Sequence, residues 1–194
     1  MTVERLIGPD SPLVMPFRHL DEYRKGVEQI RRLYKLYQQN GTGHGKLHTE
    51  RVLFLALTII QAGKIKLNPM ERTQLLTFIV FHDIGREDDG VDDGYGKANR
   101  EVYETSVGKS LDPAVSFLIE YHCLDDNLAE EYLKTADTIR AKKRAWLLYQ
   151  ILKDADAIDR VRFGIYDLDV NQLRLPISHK LVPLAVAAVT GIKI

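Results

Sequence analysis

Two runs that are apolar on nearly every side, Val52 to Ile60 and Leu75-Leu76-Thr77-Phe78-Ile79-Val80-Phe81, most constrain this chain. A helix without a polar face has to be buried, and neither run is long enough to span a bilayer. The second run ends directly in His82-Asp83, followed by Ile84-Gly85-Arg86. A carboxylate at the end of a buried helix needs a cation or several donors. Adjacent helical side chains diverge by about 100°, so His82 and Asp83 spread apart yet can both reach an ion seated beyond the helix end. Gly85 suits the helix stop, because glycine adopts left-handed angles at little cost. The alternative is a core histidine bonded to a carbonyl.

The flanking sequence is helical too. Residues 1–16 hold three prolines and Gly8 and read as an irregular leader. From Arg18 to Gln39, Leu20, Tyr23, Val27, Ile30, Leu33 and Tyr37 recur at helical steps, and Asn40-Gly41-Thr42-Gly43 stops them. A second helix is expected over 46–62, and a third opens at Asn68-Pro69, with proline in its first turn. After a polar loop over 86–96, helical periodicity resumes from Lys97 to Lys109. Pro113 opens another helix ending near His122, a short polar helix falls within 125–137, and a long one runs from Ile139 to about Phe163. Leu168 to Leu175 alternates loosely and predicts a short extended piece. Leu181 to Val189 reads as a terminal core helix, with a homo-oligomer contact as the alternative. The expectation is an all-α, compact, single-domain helical bundle over 1–194.

Composition narrows the function classes. Lysine plus arginine equals aspartate plus glutamate, 27 each, so the electrostatic footprint of a nucleic-acid or anionic-membrane binder is missing. A single cysteine, Cys123, excludes an intramolecular disulfide and a cysteine-rich zinc site. With no signal-peptide pattern at the N-terminus, a cytoplasmic location is expected.

Ligand-type side chains interrupt the apolar stretches at four places. They are Gly43-His44-Gly45-Lys46-Leu47-His48, His82-Asp83, His122, and Lys153-Asp154-Ala155-Asp156-Ala157-Ile158-Asp159-Arg160. His44 and His48 share a face if their helix begins early enough. His19 and His179 lie in polar surroundings and read as surface residues. On the long helix Asp159 lies nearest the apolar centre, Asp154 next and Asp156 furthest round, so periodicity does not select Asp156; Asp154 reads as solvated.

The set resembles the HD superfamily of metal-dependent phosphohydrolases. Its pattern of a histidine soon followed by Arg-Val, then His-Asp-hydrophobic-Gly-Lys/Arg, then a later Asp matches three stretches here. These are His48-Thr49-Glu50-Arg51-Val52, His82-Asp83-Ile84-Gly85-Arg86 and Ala155-Asp156-Ala157-Ile158-Asp159, within about 43–162. The resemblance implies metal ligands His48, His82, Asp83 and Asp156, a mixed N/O set suited to manganese, iron, nickel or magnesium. Tyr95 stands about where several relatives carry a further histidine, which favours one ion per chain. The resemblance further implies hydrolysis of a small phosphorylated substrate, such as a nucleotide or signalling nucleotide, by metal-activated water.

In that scheme Asp83 and Arg86 are catalytic, and His44 and His122 are candidates for proton transfer. Arg86, Lys97, Asp159 and Arg160 are candidates for substrate contact; Asp159 is alternatively an orienting group behind a ligand. Arg100 and Arg162, like Lys97 and Arg160, are further candidates to line a phosphate pocket, although each reads more readily as a surface cation. Other reaction classes stay open: a di-iron oxygenase of the same superfamily, drawing extra ligands from His44, His122 and the acidic loop, or a ligand-binding module without turnover.

Overall fold

A computed structural model of the chain describes residues 20–33, 35, 43–86, 94–107 and 112–190. Their regular structure is eight α-helices and two 3-10 turns, with no strand among the described residues. The helices are α1 (Asp21–Arg32), α2 (Lys46–Ala62), α3 (Pro69–Phe81), α4 (Tyr95–Val107), α5 (Pro113–Tyr121), α6 (Asp126–Thr135), α7 (Lys142–Asp159) and α8 (Pro176–Thr190). They pack into one compact all-α domain, as the periodicity predicts. No described helix is long and apolar enough to cross a membrane.

The two apolar runs lie at the centre. From Val52 to Ile60, α2 is buried throughout, and it packs most extensively on α7, with α1, α3 and α8 around it. In α3, Phe78, Ile79, Val80 and Phe81 are buried among α5, α7 and α2. The start of α3 is fixed by a reciprocal cap. Asn68 accepts from the Glu71 backbone N–H at 2.9 Å, and Glu71 accepts from the Asn68 N–H at 2.8 Å, an arrangement worth about 1 kcal/mol. Arg144 grips the same Glu71 with two bonds of 2.6 and 2.7 Å and donates to Lys66 O at 2.7 Å. The first turn of α7 is thereby tied to that of α3.

Several expectations need correction. The long helix starts at Lys142 rather than Ile139 and gives way after Asp159 to a 3-10 turn, Arg160–Arg162. The expected extended piece is a 3-10 turn, Val170–Gln172, capped by Asp169. Nor is Asp154 solvated. It is fully buried and accepts from the Arg174 and Leu175 backbone N–H groups at 2.9 and 2.8 Å, while Arg174 also bridges to Asp126. That carboxylate pins the segment before α8 onto α7. The described helix α1 ends at Arg32; the leader 1–16, His19 and the stop at 40–42 lie outside the described residues. His179 is exposed, as expected.

Gly85 does not use the left-handed region. Instead α4 comes close to it: a Cβ there would lie 3.1 Å from Val102 and 3.2 Å from Asn99 Oδ1, so a side chain would make α4 give by a few tenths of an ångström. At Gly96 a Cβ would lie 2.1 Å from the Glu120 carbonyl oxygen, so only glycine lets α4 sit this close to α5.

Candidate metal centre

Four helix ends meet at one buried point. His48 occupies the first turn of α2; His82 and His122 are the C-caps of α3 and α5; Asp156 and Asp159 lie in the last turn of α7. Three of these ends are C-terminal, where the backbone carbonyls favour positive charge. The turn after α3 is held by Asn99 of α4. Its side chain accepts from the Gly85 N–H at 2.7 Å and donates to the His82 carbonyl oxygen.

Each of three imidazoles has its Nδ1 tied outward. His82 Nδ1 donates to Ile79 O at 2.7 Å and His122 Nδ1 to Ile119 O at 2.7 Å. His48 Nδ1 bonds Asp159 Oδ2 at 2.7 Å. Such outward bonds fix the tautomer and aim Nε2 inward, the arrangement of metal-binding histidines. The Nε2 atoms of His48 and His82 lie 3.2 Å apart. His48 Nε2 is also 3.2 Å from Asp156 Oδ1 and 3.4 Å from Asp83 Oδ2, and His82 Nε2 is 3.8 Å from that oxygen. Two nitrogen ligands at right angles on one ion would be separated by about 3 Å. His48, His82 and Asp156 form one group with metal-ligand spacing, and Asp83 Oδ2 stands beside its two imidazoles.

The electrostatics point the same way. Burial resists protonation of His48, but bonds to Asp156, Asp159 and Asp83 outweigh it and carry the imidazole to about 10. Burial takes His82 down to about 4. Asp83 is held well below the ordinary carboxylate value despite burial, because His82, His122, His44 and His48 surround it. Asp156 is lowered in the same sense by His48. The carboxylates thus concentrate negative charge at one place, and a bound cation would take over the neutralising role that protonated His48 has there.

His44 lies just before α2, which begins at Lys46, yet its ring stands edge-on to His48 with centroids 5.5 Å apart. Its Nδ1 is 2.8 Å from Asp83 Oδ2, and His44, His48 and Asp83 form a second buried triad with metal-ligand spacing, overlapping that of His48, His82 and Asp156. His122 Nε2 is 3.5 Å from the other Asp83 oxygen, and Arg86 is 3.9 Å from it with its guanidinium over the Tyr95 ring.

Other candidates fall elsewhere. Lys97 is exposed on α4, and Arg160 is exposed with its Nε bonded to Asp167 O at 3.0 Å; the structure brings neither into contact with the cluster. Asp159, a candidate substrate contact, takes the orienting role instead. It is 2% exposed and holds His48 together with two bonds from Arg51, at 2.6 and 3.0 Å. Arg51 stood in the matched motif without a role, and Asn99 had no signal at all, being one polar residue in an amphipathic helix.

Comparison with protein-family models, with curated proteins and with solved structures returns no match. The all-helical fold and its buried His/Asp cluster are compatible with an HD-type domain.

Proposed function

We propose that this chain is a metal-dependent phosphohydrolase of the HD type acting on a small phosphate ester, such as a nucleotide or signalling nucleotide. The observation that carries it is the meeting of Asp83 Oδ2 and Asp156 Oδ1 with the paired Nε2 atoms of His48 and His82, the residues of the motif, around His48. A divalent ion held there, manganese, iron, nickel or magnesium, supplies Lewis acidity toward water and a phosphoryl oxygen. The chain's own groups do the rest. Asp159 and the Ile79 carbonyl keep the two ligand imidazoles in register. Arg86, stacked on Tyr95, offsets negative charge beside Asp83. His44, with its side chain 11% exposed, is the most open of the cluster's imidazoles and is placed to exchange a proton with a bound substrate; His122 holds the opposite side of Asp83.

The test is hydrolysis of a panel of phosphate mono- and diesters by wild type and Asp83→Ala. Activity is expected in the wild type and lost with the metal in the variant. Near wild-type turnover by metal-free Asp83→Ala would overturn the mechanism.

One observation favours a second reading, a di-iron oxygenase. The two Asp83 oxygens face different groups, Oδ2 toward His44 and His48 and Oδ1 toward His122, as a carboxylate between two ions would. Two irons per chain with oxygen consumption would select it.

A further inference from the structure

The 3-10 turn after α7 carries Arg162, a cation that the sequence leaves open between a phosphate pocket and the surface. The Arg162 side chain is only 8% exposed. Its Nε donates to the Gly43 carbonyl oxygen at 2.9 Å, and its guanidinium carbon lies 4.1 Å from the centroid of the Phe163 ring. Phe163 is itself fixed at the mouth of the centre: its ring stands 6.2 Å from His44, and a Cβ at Gly43 would lie 2.2 Å from it. With glycine at 43 the half-exposed ring lies in this place without having to shift. The remaining guanidinium nitrogen of note is NH1. It is buried without a hydrogen-bond partner and lies 3.2 Å from Asp159 Oδ2, an oxygen already bonded to His48 and Arg51.

A buried donor without a partner is costly. With Nε held by Gly43, the guanidinium has its terminal N–H groups to offer to phosphate oxygens. The positions of Asp159, Asp156 and Asp83 put Arg162 within the electrostatic reach of the candidate metal ligands. We propose that Arg162 takes hold of the substrate's phosphate at this centre, its guanidinium kept ready by Phe163 and Gly43. Resting on the phosphohydrolase function above, this gives the centre a second phosphate-facing arginine. Arg86 stacks on Tyr95 beside Asp83, and Arg162 stacks on Phe163 beside Asp159.

The probe is methylphosphonate, whose carbon–phosphorus bond resists hydrolysis, titrated calorimetrically into manganese-loaded protein. Arg162→Met is expected to weaken binding about 10-fold or more, the loss of a charge-assisted hydrogen bond, with manganese content retained. Arg162→Lys should recover part of the affinity, and exposed Arg140→Met should bind as wild type does. Should Arg162→Met not fold, phenylglyoxal labelling of the wild type, mapped by mass spectrometry, replaces it; methylphosphonate is expected to protect Arg162. Unchanged affinity in Arg162→Met with manganese retained, or labelling of Arg162 unaffected by methylphosphonate, would overturn its role and leave the metal centre standing. A wild type that takes up none of manganese, iron, nickel or magnesium overturns the proposed function and this inference with it.

Discussion

Replacing Asp159 by asparagine should separate the group that orients the centre from the groups that form it. Asp159 accepts His48 Nδ1 at 2.7 Å and Arg51 at 2.6 and 3.0 Å, and lies 3.2 Å from Arg162 NH1. Asn keeps the volume and one acceptor but removes the charge and turns an amide donor toward groups that themselves donate. Loss of an outer partner of a metal-binding histidine costs about 10–100-fold in metal affinity. Arg51 and Arg162 side chains are 15% and 8% exposed and lose a buried counter-charge, which costs about 3–5 kcal/mol in such settings. The retained acceptor argues for the lower end, and for a domain of this size about 3 kcal/mol lowers Tm by roughly 6–12 °C. Chelator competition for the metal and thermal unfolding of metal-free protein by circular dichroism measure the two effects. Asp159→Asn that binds metal as tightly as wild type and unfolds within about 2 °C of it would refute the orienting role.

Three further outcomes follow from the same helix and its anchor. Asp154→Ala strands the Arg174 and Leu175 backbone N–H groups and should destabilise the fold by about 3–5 kcal/mol with metal content unchanged. Asp156→Ala, at a side chain 33% exposed, should abolish metal uptake and leave the Tm of metal-free protein unchanged or higher; urea unfolding and elemental analysis of both variants check this. Glu71 is held below its ordinary 4.5 chiefly by the bonds from Arg144. A lowered carboxyl stabilises the fold fully above 4.5 and loses that contribution as pH falls through its folded value. Glu71→Gln should therefore be less stable than wild type at neutral pH, and the gap in urea midpoint should close in strong acid.

Much of the fold was legible because burial and capping are written locally. The apolar run of α2 and the Asn68-Pro69 start of α3 specify those helices without help from distant residues. The cluster's histidines were legible for a related reason, since imidazoles ending apolar helices have nowhere polar to go unless the fold provides it. The three aspartates of α7 show where this ran out. Helical phase measures depth, and depth alone does not say what each carboxylate meets. Asp154 and Asp159 are the deepest because Arg174 and Arg51 compensate them, whereas Asp156 stays shallower and faces His48. Those arginines come from sequence separations of 20 and 108 residues. Arg162 stayed open between pocket and surface because it lies past the helix end, where a 3-10 turn replaces the helical phase; its side chain is in fact 8% exposed. Gly85 was read through a left-handed backbone that it does not adopt; what closes on it is α4, a neighbour that no local signal announces.

The central claim is that His48, His82, Asp83 and Asp156 hold a metal ion. Elemental analysis of chelator-free wild type beside Asp83→Ala tests it most directly. About one divalent ion per chain is expected in the wild type, and none in the variant. Wild-type protein that holds no metal, even after reconstitution with manganese and iron, would contradict the account.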